Sequence, residues 1–260
     1  MLPTLLQIGS FRLPTFGLLV AFAFLAAILW TARTARQRGF DPELIYNLGV
    51  WVMISGLLGA RLLYVALEWP EYRNNLLSII MPPYEGLVYY GGFLSSFMAG
   101  FIYLKWHKIS PWEIGDMIAP AIALGQAIGR WGCFLNGCCF GCPAPAGLLW
   151  GMTYPENAPA TFMYGKMPVH PIQIYESLGA LLIFLFLIRL LNRRAFPGQV
   201  IWVYFLSYGV LRFLLEFLRG DDRGFMWMSL SISQWISLII FPIAFLMLVR
   251  GKNQIKKLKS

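Results

Sequence analysis

The chain has 260 residues, of which 58% are hydrophobic and 13% charged, with 21 Lys plus Arg against 12 Asp plus Glu. Soluble domains carry about 45–50% apolar and about 25% charged residues, so this composition excludes a soluble globular protein, a disordered chain and a disulfide-stapled mini-protein. The formal net charge of +9 would suggest nucleic acid in a soluble protein, but here the basic residues stand between long apolar runs. That is the pattern of a multi-pass membrane protein sorted by positive loops, with no nucleic-acid partner.

A helix needs about 20 apolar residues to cross the hydrocarbon core. In chain order, charge-free stretches occupy 13–32, 44–60 and 86–104. Next come two interrupted runs, 117–129 between Asp116 and Arg130, and 177–188 between Glu176 and Arg189. They reach membrane length only as spans 113–135 and 171–192, with one charged end inside the bilayer; the alternative is that one of them is a re-entrant hairpin. The last two stretches are 195–211 and 224–249. The expectation is an all-α protein with seven transmembrane helices, forming a single integral membrane domain over 1–260.

Orientation follows from the loops. Thirteen of the 21 basic residues cluster after spans 1, 3, 5 and 7: Arg33, Arg36 and Arg38; Lys105 and Lys108; Arg189, Arg193 and Arg194; Arg250, Lys252, Lys256, Lys257 and Lys259. The positive-inside rule puts these segments in the cytoplasm, with the N-terminus outside and a short basic cytoplasmic tail at 250–260. Span 1 does not read as a cleavable signal peptide, because its positive flank lies on the C-terminal side. Trp30, Trp69, Trp106, Trp112 and Trp227 lie near span ends, as an interfacial aromatic belt does. Pro82-Pro83 marks an outer loop before span 3. The longest outer loop lies around 136–170; its part 144–169 carries four Pro and reads as either a mobile lid or a rigid cap.

Eight basic residues fall outside the cytoplasmic clusters. Arg12, Arg73, Lys166 and Arg223 read as ordinary loop residues. Arg61, Arg130, Arg212 and Arg219 do not, because they sit in or beside apolar spans. Arg212 and Glu216 are four apart on one helix face, with Arg219 one turn further. A guanidinium deep in a bilayer costs about 2.5–3.5 kcal/mol on insertion scales. Any one of the four could snorkel; together, with Glu176 and Glu216 as partners, they predict a site. The simplest ligand is an anion held by Arg forks, and in a membrane the abundant one is a phospholipid phosphate.

Residues 129–143 read GRWGCFLNGCCFGCP. Gly129, Gly132, Gly137 and Gly141 permit tight turns and close backbone approach, and Asn136 both donates and accepts. Irregular backbone at membrane depth survives only where protein or water satisfies it, so this segment is a loop above the bilayer or a cavity lining. All four Cys lie here, at 133, 138, 139 and 142. A zinc site with four thiolates does not match the usual pair of knuckles. A disulfide suits an oxidising compartment, and small apolar packing is the simplest reading. No resident metal or cofactor is expected.

At this point the chain resembles a family, the bacterial prolipoprotein diacylglyceryl transferases. The resemblance is strongest over GRWGCFLNGCCFG at 129–141. It extends through GARLLYV at 59–65, GLVYYGG at 86–92, DMIAPAIALGQAIGR at 116–130, HPIQIYE at 170–176 and YGVLRFLLEFLR at 208–219. The resemblance implies a seven-span bacterial inner-membrane enzyme, its site facing the periplasm. It would move the diacylglyceryl group of phosphatidylglycerol to the lipobox cysteine of a preprolipoprotein signal peptide. The products are a thioether and glycerol phosphate, in the first step of lipoprotein maturation.

Residue by residue, the resemblance places Arg130 and Asn136 on the signature positions that contact the lipid headgroup, with Gly129, Gly132 and Gly137 around them. Tyr208 and Arg212 fall on the late motif, which Glu216 and Arg219 continue, and Arg61 falls in an earlier one. Departures are present: Tyr90-Gly91-Gly92 stands for His-Gly-Gly, Phe16-Gly17 for Tyr-Gly, and Cys133 and Cys138 for the signature Asn and Glu. The expected catalytic set is Arg130, Arg212, Tyr208, Tyr90 and His170. Tyrosine, with an ordinary pKa of about 10, is a poor base at neutral pH. His170 either orders the site and assists proton transfer or simply starts a helix. The alternatives are a lipid-modifying paralogue with another acceptor and an anion or lipid transporter, although no repeated halves are evident.

Overall fold

The computed structural model describes residues 1–9, 11–79, 86–156, 158–222 and 226–259. Pro82-Pro83 and Arg223 lie outside the described residues. The architecture is predominantly helical. A short hairpin of β1 (Thr4–Ile8) and β2 (Phe11–Pro14) precedes α1 (Thr15–Gln37), α2 (Pro42–Leu67), the short α3 (Trp69–Tyr72) and α4 (Tyr89–Trp106). Then follow α5 (Pro111–Asn136), the short α6 (Pro159–Tyr164), α7 (Ile172–Asn192) and α8 (Gln199–Glu216). A two-residue pair, β3 (Met226–Trp227) and β4 (Leu230–Ser231), leads into α9 (Ile232–Lys259).

Among the described residues, six helices are long and apolar enough to cross a membrane: α1, α2, α5, α7, α8 and α9. The expected span at 86–104 is the exception. It forms α4, of 18 residues, but three Tyr, three Gly, two Ser and Lys105 dilute its apolar character. Both interrupted runs are full-length helices, so the charges that bounded them, Asp116, Arg130, Glu176 and Arg189, lie within helices.

The chain divides into two compact units, Met1–Thr31 with Gly115–Ser260, and Ala32–Ile114. In the second, α2 packs on α4 through small residues. A Cβ at Gly91 would come within 2.4 Å of the Gly59 carbonyl oxygen, and Ser95 and Ser96 donate across the contact to the carbonyls of Ser55 (2.8 Å) and Val52 (2.9 Å). This is the small-residue packing by which helices associate where the surrounding tails offer no hydrophobic driving force.

In the first unit the core gathers Ala119, Ala123, Phe184, Leu187, Leu191, Val200 and Tyr204 from α5, α7 and α8, with Trp30 of α1 edge-on to Phe184. One buried carboxylate sets the register. Asp116 is fully buried and accepts from the backbone amides of Gly198 (2.8 Å), Val200 (2.8 Å) and Ile201 (3.0 Å) and from Arg194 Nη1 (2.9 Å). Those amides are the orphan donors at the start of α8, where the helix dipole also favours an anion. One side chain of α5 therefore caps α8 and balances Arg194. From this clamp Arg130 lies fourteen residues along α5, and Arg212 twelve residues beyond Val200 in α8. At about 1.5 Å rise per residue these are heights of about 21 and about 18 Å, so the clamp brings both guanidiniums to one level.

Candidate lipid-headgroup site

Arg130, Arg212, Glu176 and Glu216 form one continuous ion-pair chain. Arg130 Nε meets Glu176 Oε2 at 2.6 Å, Arg212 Nη1 meets Glu176 Oε1 at 2.8 Å, and Arg212 Nη2 meets Glu216 Oε2 at 2.7 Å. Both carboxylates are 2% exposed, whereas the Arg130 and Arg212 side chains keep 20% and 15% of their surface. Two charges of each sign balance, which a buried polar cluster requires. Both Nη groups of Arg212 have partners, and Nη2 also reaches Ser233 Oγ at 3.4 Å. Arg130 differs. Among the described residues only its Nε is bonded, so the two Nη groups keep their donors for a ligand.

A Cβ added at Gly129 meets nothing within 4 Å, whereas one at Gly132 would touch Phe16 of α1 at 3.2 Å. Tyr208 stacks on Tyr204 at 5.8 Å, and Tyr204 in turn donates to Gln126 of α5 at 3.1 Å. The Tyr208 hydroxyl and the Cys133 and Cys139 sulfurs lie within electrostatic reach of Arg130. Ser177 ties α7 to α5 by donating to the Ala127 carbonyl at 2.7 Å. The arrangement is a partly open guanidinium braced by buried carboxylates, and it suits bidentate capture of a phosphate.

The glycine-rich segment is helical as far as Asn136; only the part from 137 on is irregular. Gly137, at φ 78°, ends α5 in a left-handed cap, with Gly137 N donating to Phe134 O (3.2 Å) and Cys138 N to Cys133 O (3.1 Å). Asn136 is exposed at the end of α5. The chain then crosses the end of α8: Cys142 N donates to Leu218 O (2.8 Å) and Gly220 N to Phe140 O (3.0 Å). A Cβ at Gly220 would lie 2.4 Å from the Gly141 carbonyl, so this crossing needs two glycines.

That pairing also explains Arg219. The α-helix ends at Glu216, but hydrogen bonds from the amides of Phe217, Leu218 and Arg219 to the carbonyls three residues back carry the chain through one tighter turn, after which residues 218–220 pair with 140–142. Arg219 is paired through Nε and Nη2 with Asp221, and this carboxylate holds the guanidinium pKa above its ordinary value against the opposing effect of burial.

His170 is fixed mainly by its backbone, which accepts from Gly141 N and donates to Cys142 O, both at 3.0 Å. Its Nδ1 lies 3.4 Å from the Tyr175 hydroxyl, which accepts from Trp150 Nε1 at 2.7 Å. Segment 144–169 packs against Phe140 in a small core with Tyr154, Ala158, Ala160 and Val169. Gln173 clamps it, donating to Cys138 O at 2.7 Å and to the Tyr154 hydroxyl at 3.0 Å. Burial raises the Tyr154 pKa. Lys166 pairs with Glu156 at 2.9 Å on the surface.

Arg61 and Tyr90 belong to the other unit. Arg61 donates to the carbonyls of Ile79 (3.2 Å), Ser78 (3.4 Å) and Gly86 (3.4 Å) and lies over the rings of Tyr64 and Tyr72. Within its unit it organises the loop after α3. Tyr90 stands in the first turn of α4, 53% exposed. The four cysteines are free thiols. Cys138 is held well below the ordinary thiol range, first by its hydrogen bond with Cys133 and then by that with Cys139.

The sequence model of the family described as prolipoprotein diacylglyceryl transferase matches residues 3–250. The chain belongs to the prolipoprotein diacylglyceryl transferase family. Proteins named phosphatidylglycerol–prolipoprotein diacylglyceryl transferase resemble it over nearly the whole chain. The relative from Synechococcus elongatus is 36% identical over 254 residues, 95% of this chain and 86% of its own length. Those from Thermosynechococcus vestitus and Clostridium tetani are 35% and 33% identical, over 92% and 94% of this chain and 88% and 95% of their own lengths. The long apolar helices and the charged cluster in this chain are thus features of a family member, not of an unrelated transporter.

Sequence reasoning missed two contributors to the site. Asp116 stood out only as a charge that interrupts a span, and Ser233 gave no signal. The buried Asp between apolar residues was the available hint.

Proposed function

We propose that this chain transfers the diacylglyceryl group of phosphatidylglycerol to the lipobox cysteine of a preprolipoprotein, releasing glycerol phosphate. The observation that carries the reading is the Arg130–Glu176–Arg212 bridge, in which buried carboxylates brace two arginines and leave the terminal fork of one available. The names of the relatives support the same substrates.

In this reading the Nη groups of Arg130 take the lipid phosphate, with Gly129 leaving room on the helix beside them, Gly132 letting α1 approach α5 closely, and Asn136 and Gly137 closing the turn above. The acceptor sulfur, as thiolate, attacks the glyceryl carbon that carries phosphate. The carbon–oxygen bond breaks, its electron pair passes to the phosphate oxygen, and a carbon–sulfur bond forms. Charge grows on the leaving phosphate, so a fixed cation stabilises the transition state more than the bound lipid. Arg212 completes the positive field, Glu176 and Glu216 hold it in place, and Tyr208 offers a hydroxyl. Arg219 and His170 order the backbone around this cluster; in the other unit Arg61 holds the carbonyls of Ser78, Ile79 and Gly86, and Tyr90 offers an exposed hydroxyl for hydrogen bonding.

The setting is the bacterial inner membrane. The single membrane domain has α4 as the seventh crossing, the N-terminus and the site towards the periplasm, and the basic tail in the cytoplasm. Incubating the purified chain with phosphatidylglycerol and a lipobox peptide tests the reading. The peptide should gain the mass of one diacylglyceryl group, and none when its cysteine is serine. No mass gain with phosphatidylglycerol would refute the activity.

A further inference from the structure

We propose that the sulfurs of Cys133, Cys138 and Cys139 form a binding site for one thiophilic d10 metal ion, Cu(I) or Zn(II), held by three thiolates. The three sulfurs lie within 4.8 Å of one another, and those of Cys138 and Cys139 are 3.9 Å apart. An ion at the centre of three sulfurs, with a metal–sulfur bond of about 2.3 Å, separates them by about 4.0 Å. The observed triangle therefore needs only small side-chain movements to close on an ion.

The backbone is built to make these thiols converge. Cys133 lies in the last turn of α5, the left-handed cap at Gly137 reverses the chain, and Cys139 itself takes φ 61°, a conformation that non-glycine residues seldom adopt. Gln173 fixes the peptide between Cys138 and Cys139 through the Cys138 carbonyl. Soft thiolate ligands select Cu(I) and Zn(II) over harder cations.

The charge balance also fits. Three thiolates leave a net charge of −2 around Cu(I) or −1 around Zn(II). Arg130 lies within electrostatic reach of Cys133 and Cys139, and Arg219 within reach of Cys139. On binding, three S–H bonds break, three metal–sulfur bonds form and three protons leave to solvent, with no change of oxidation state. Cys142 is also a free thiol but stands outside the triangle. The proposal rests on the sulfurs alone, so it stands or falls apart from the transferase reading.

The test uses the full chain in detergent, under argon with a phosphine reductant. Zn(II) binding is read through Co(II), whose sulfur charge-transfer band Zn(II) then bleaches. Cu(I) binding is read by competition with a chromogenic Cu(I) chelator. Either metal should bind at one ion per chain, and X-ray absorption of the loaded parent should show three sulfur scatterers at about 2.3 Å. Cys133→Ser, Cys138→Ser and Cys139→Ser should each weaken binding by at least about tenfold, whereas Cys142→Ser should not. The absorption spectrum keeps the test decisive where a serine variant fails to fold. Failure of both metals to bind stoichiometrically overturns the site. So does an intact mass two hydrogens light, which would mean a disulfide in place of the ion, or equal weakening by Cys142→Ser.

Discussion

Replacing Glu176 by Gln keeps the shape of the side chain and removes the charge that Arg130 and Arg212 share. The carboxylate is 2% exposed and contacts one guanidinium through each oxygen, at 2.6 and 2.8 Å. After the change, Arg212 keeps Glu216, whereas Arg130 loses the one carboxylate that it meets among the described residues. Removing one partner of a buried ion pair costs about 3–5 kcal/mol, because the remaining charge is left uncompensated. For a chain of this size 1 kcal/mol shifts the melting temperature by about 2–4 °C, so Glu176→Gln should melt about 6–20 °C lower in detergent. A double-mutant cycle with Arg130→Met isolates the pair, and the two changes should be non-additive by at least about 0.5 kcal/mol. Melting within about 2 °C of the parent, or strict additivity, would refute the reasoning that Glu176 is the shared counter-ion.

Asp116→Asn removes the charge from the α8 cap and from Arg194; the variant should melt at least about 6 °C lower, as for other buried pairs, with transferase activity falling in parallel as the level of Arg212 shifts. Gly129→Ala enters open space in a helix, so it should melt at or above the parent, since alanine is favoured by up to about 1 kcal/mol; its KM for phosphatidylglycerol should nevertheless rise, because the methyl fills room beside the Arg130 fork. Gly141→Ala meets the His170 carbonyl at 2.5 Å and should destabilise by about 1–3 kcal/mol, read as lost folded protein in size-exclusion chromatography. His170→Gln should leave the pH profile of the reaction unchanged, because the backbone of His170 carries its main contacts.

Much of this was legible in the chain because it is written locally. Apolar runs, flanking charges and the position of four arginines in or beside them require no tertiary knowledge. The pairing of Arg212 with Glu216 follows from a spacing of four. What was not legible depends on distant partners. The amides that Asp116 caps lie 82 to 85 residues further on, so its sequence neighbours only mark it as an interruption. Arg219 does lie one turn beyond Glu216, but its pairing with Asp221 and the crossing of 140–142 over 218–220 depend on a segment about 80 residues earlier and on a partner outside the helical pattern. Arg61 had the same outward signature as Arg130, yet its guanidinium is committed to loop carbonyls and tyrosine rings. The difference lies in a loop whose course no local pattern specifies. The third expected span reads as apolar over 86–104, but its helix begins at the Tyr-Tyr-Gly-Gly end and takes in Lys105, which keeps it from counting among the helices apolar enough to cross.

The central claim is that the Arg130 guanidinium grips the lipid phosphate as sulfur displaces it. Single-turnover transfer to a lipobox peptide by Arg130→Ala, with and without guanidinium ion in the buffer, tests it most directly. Loss of a preorganised donor of this kind costs about 10²–10³ in rate. The account predicts a loss of that size in the folded variant, partly restored by added guanidinium. Product formation by Arg130→Ala at the parent rate would contradict it.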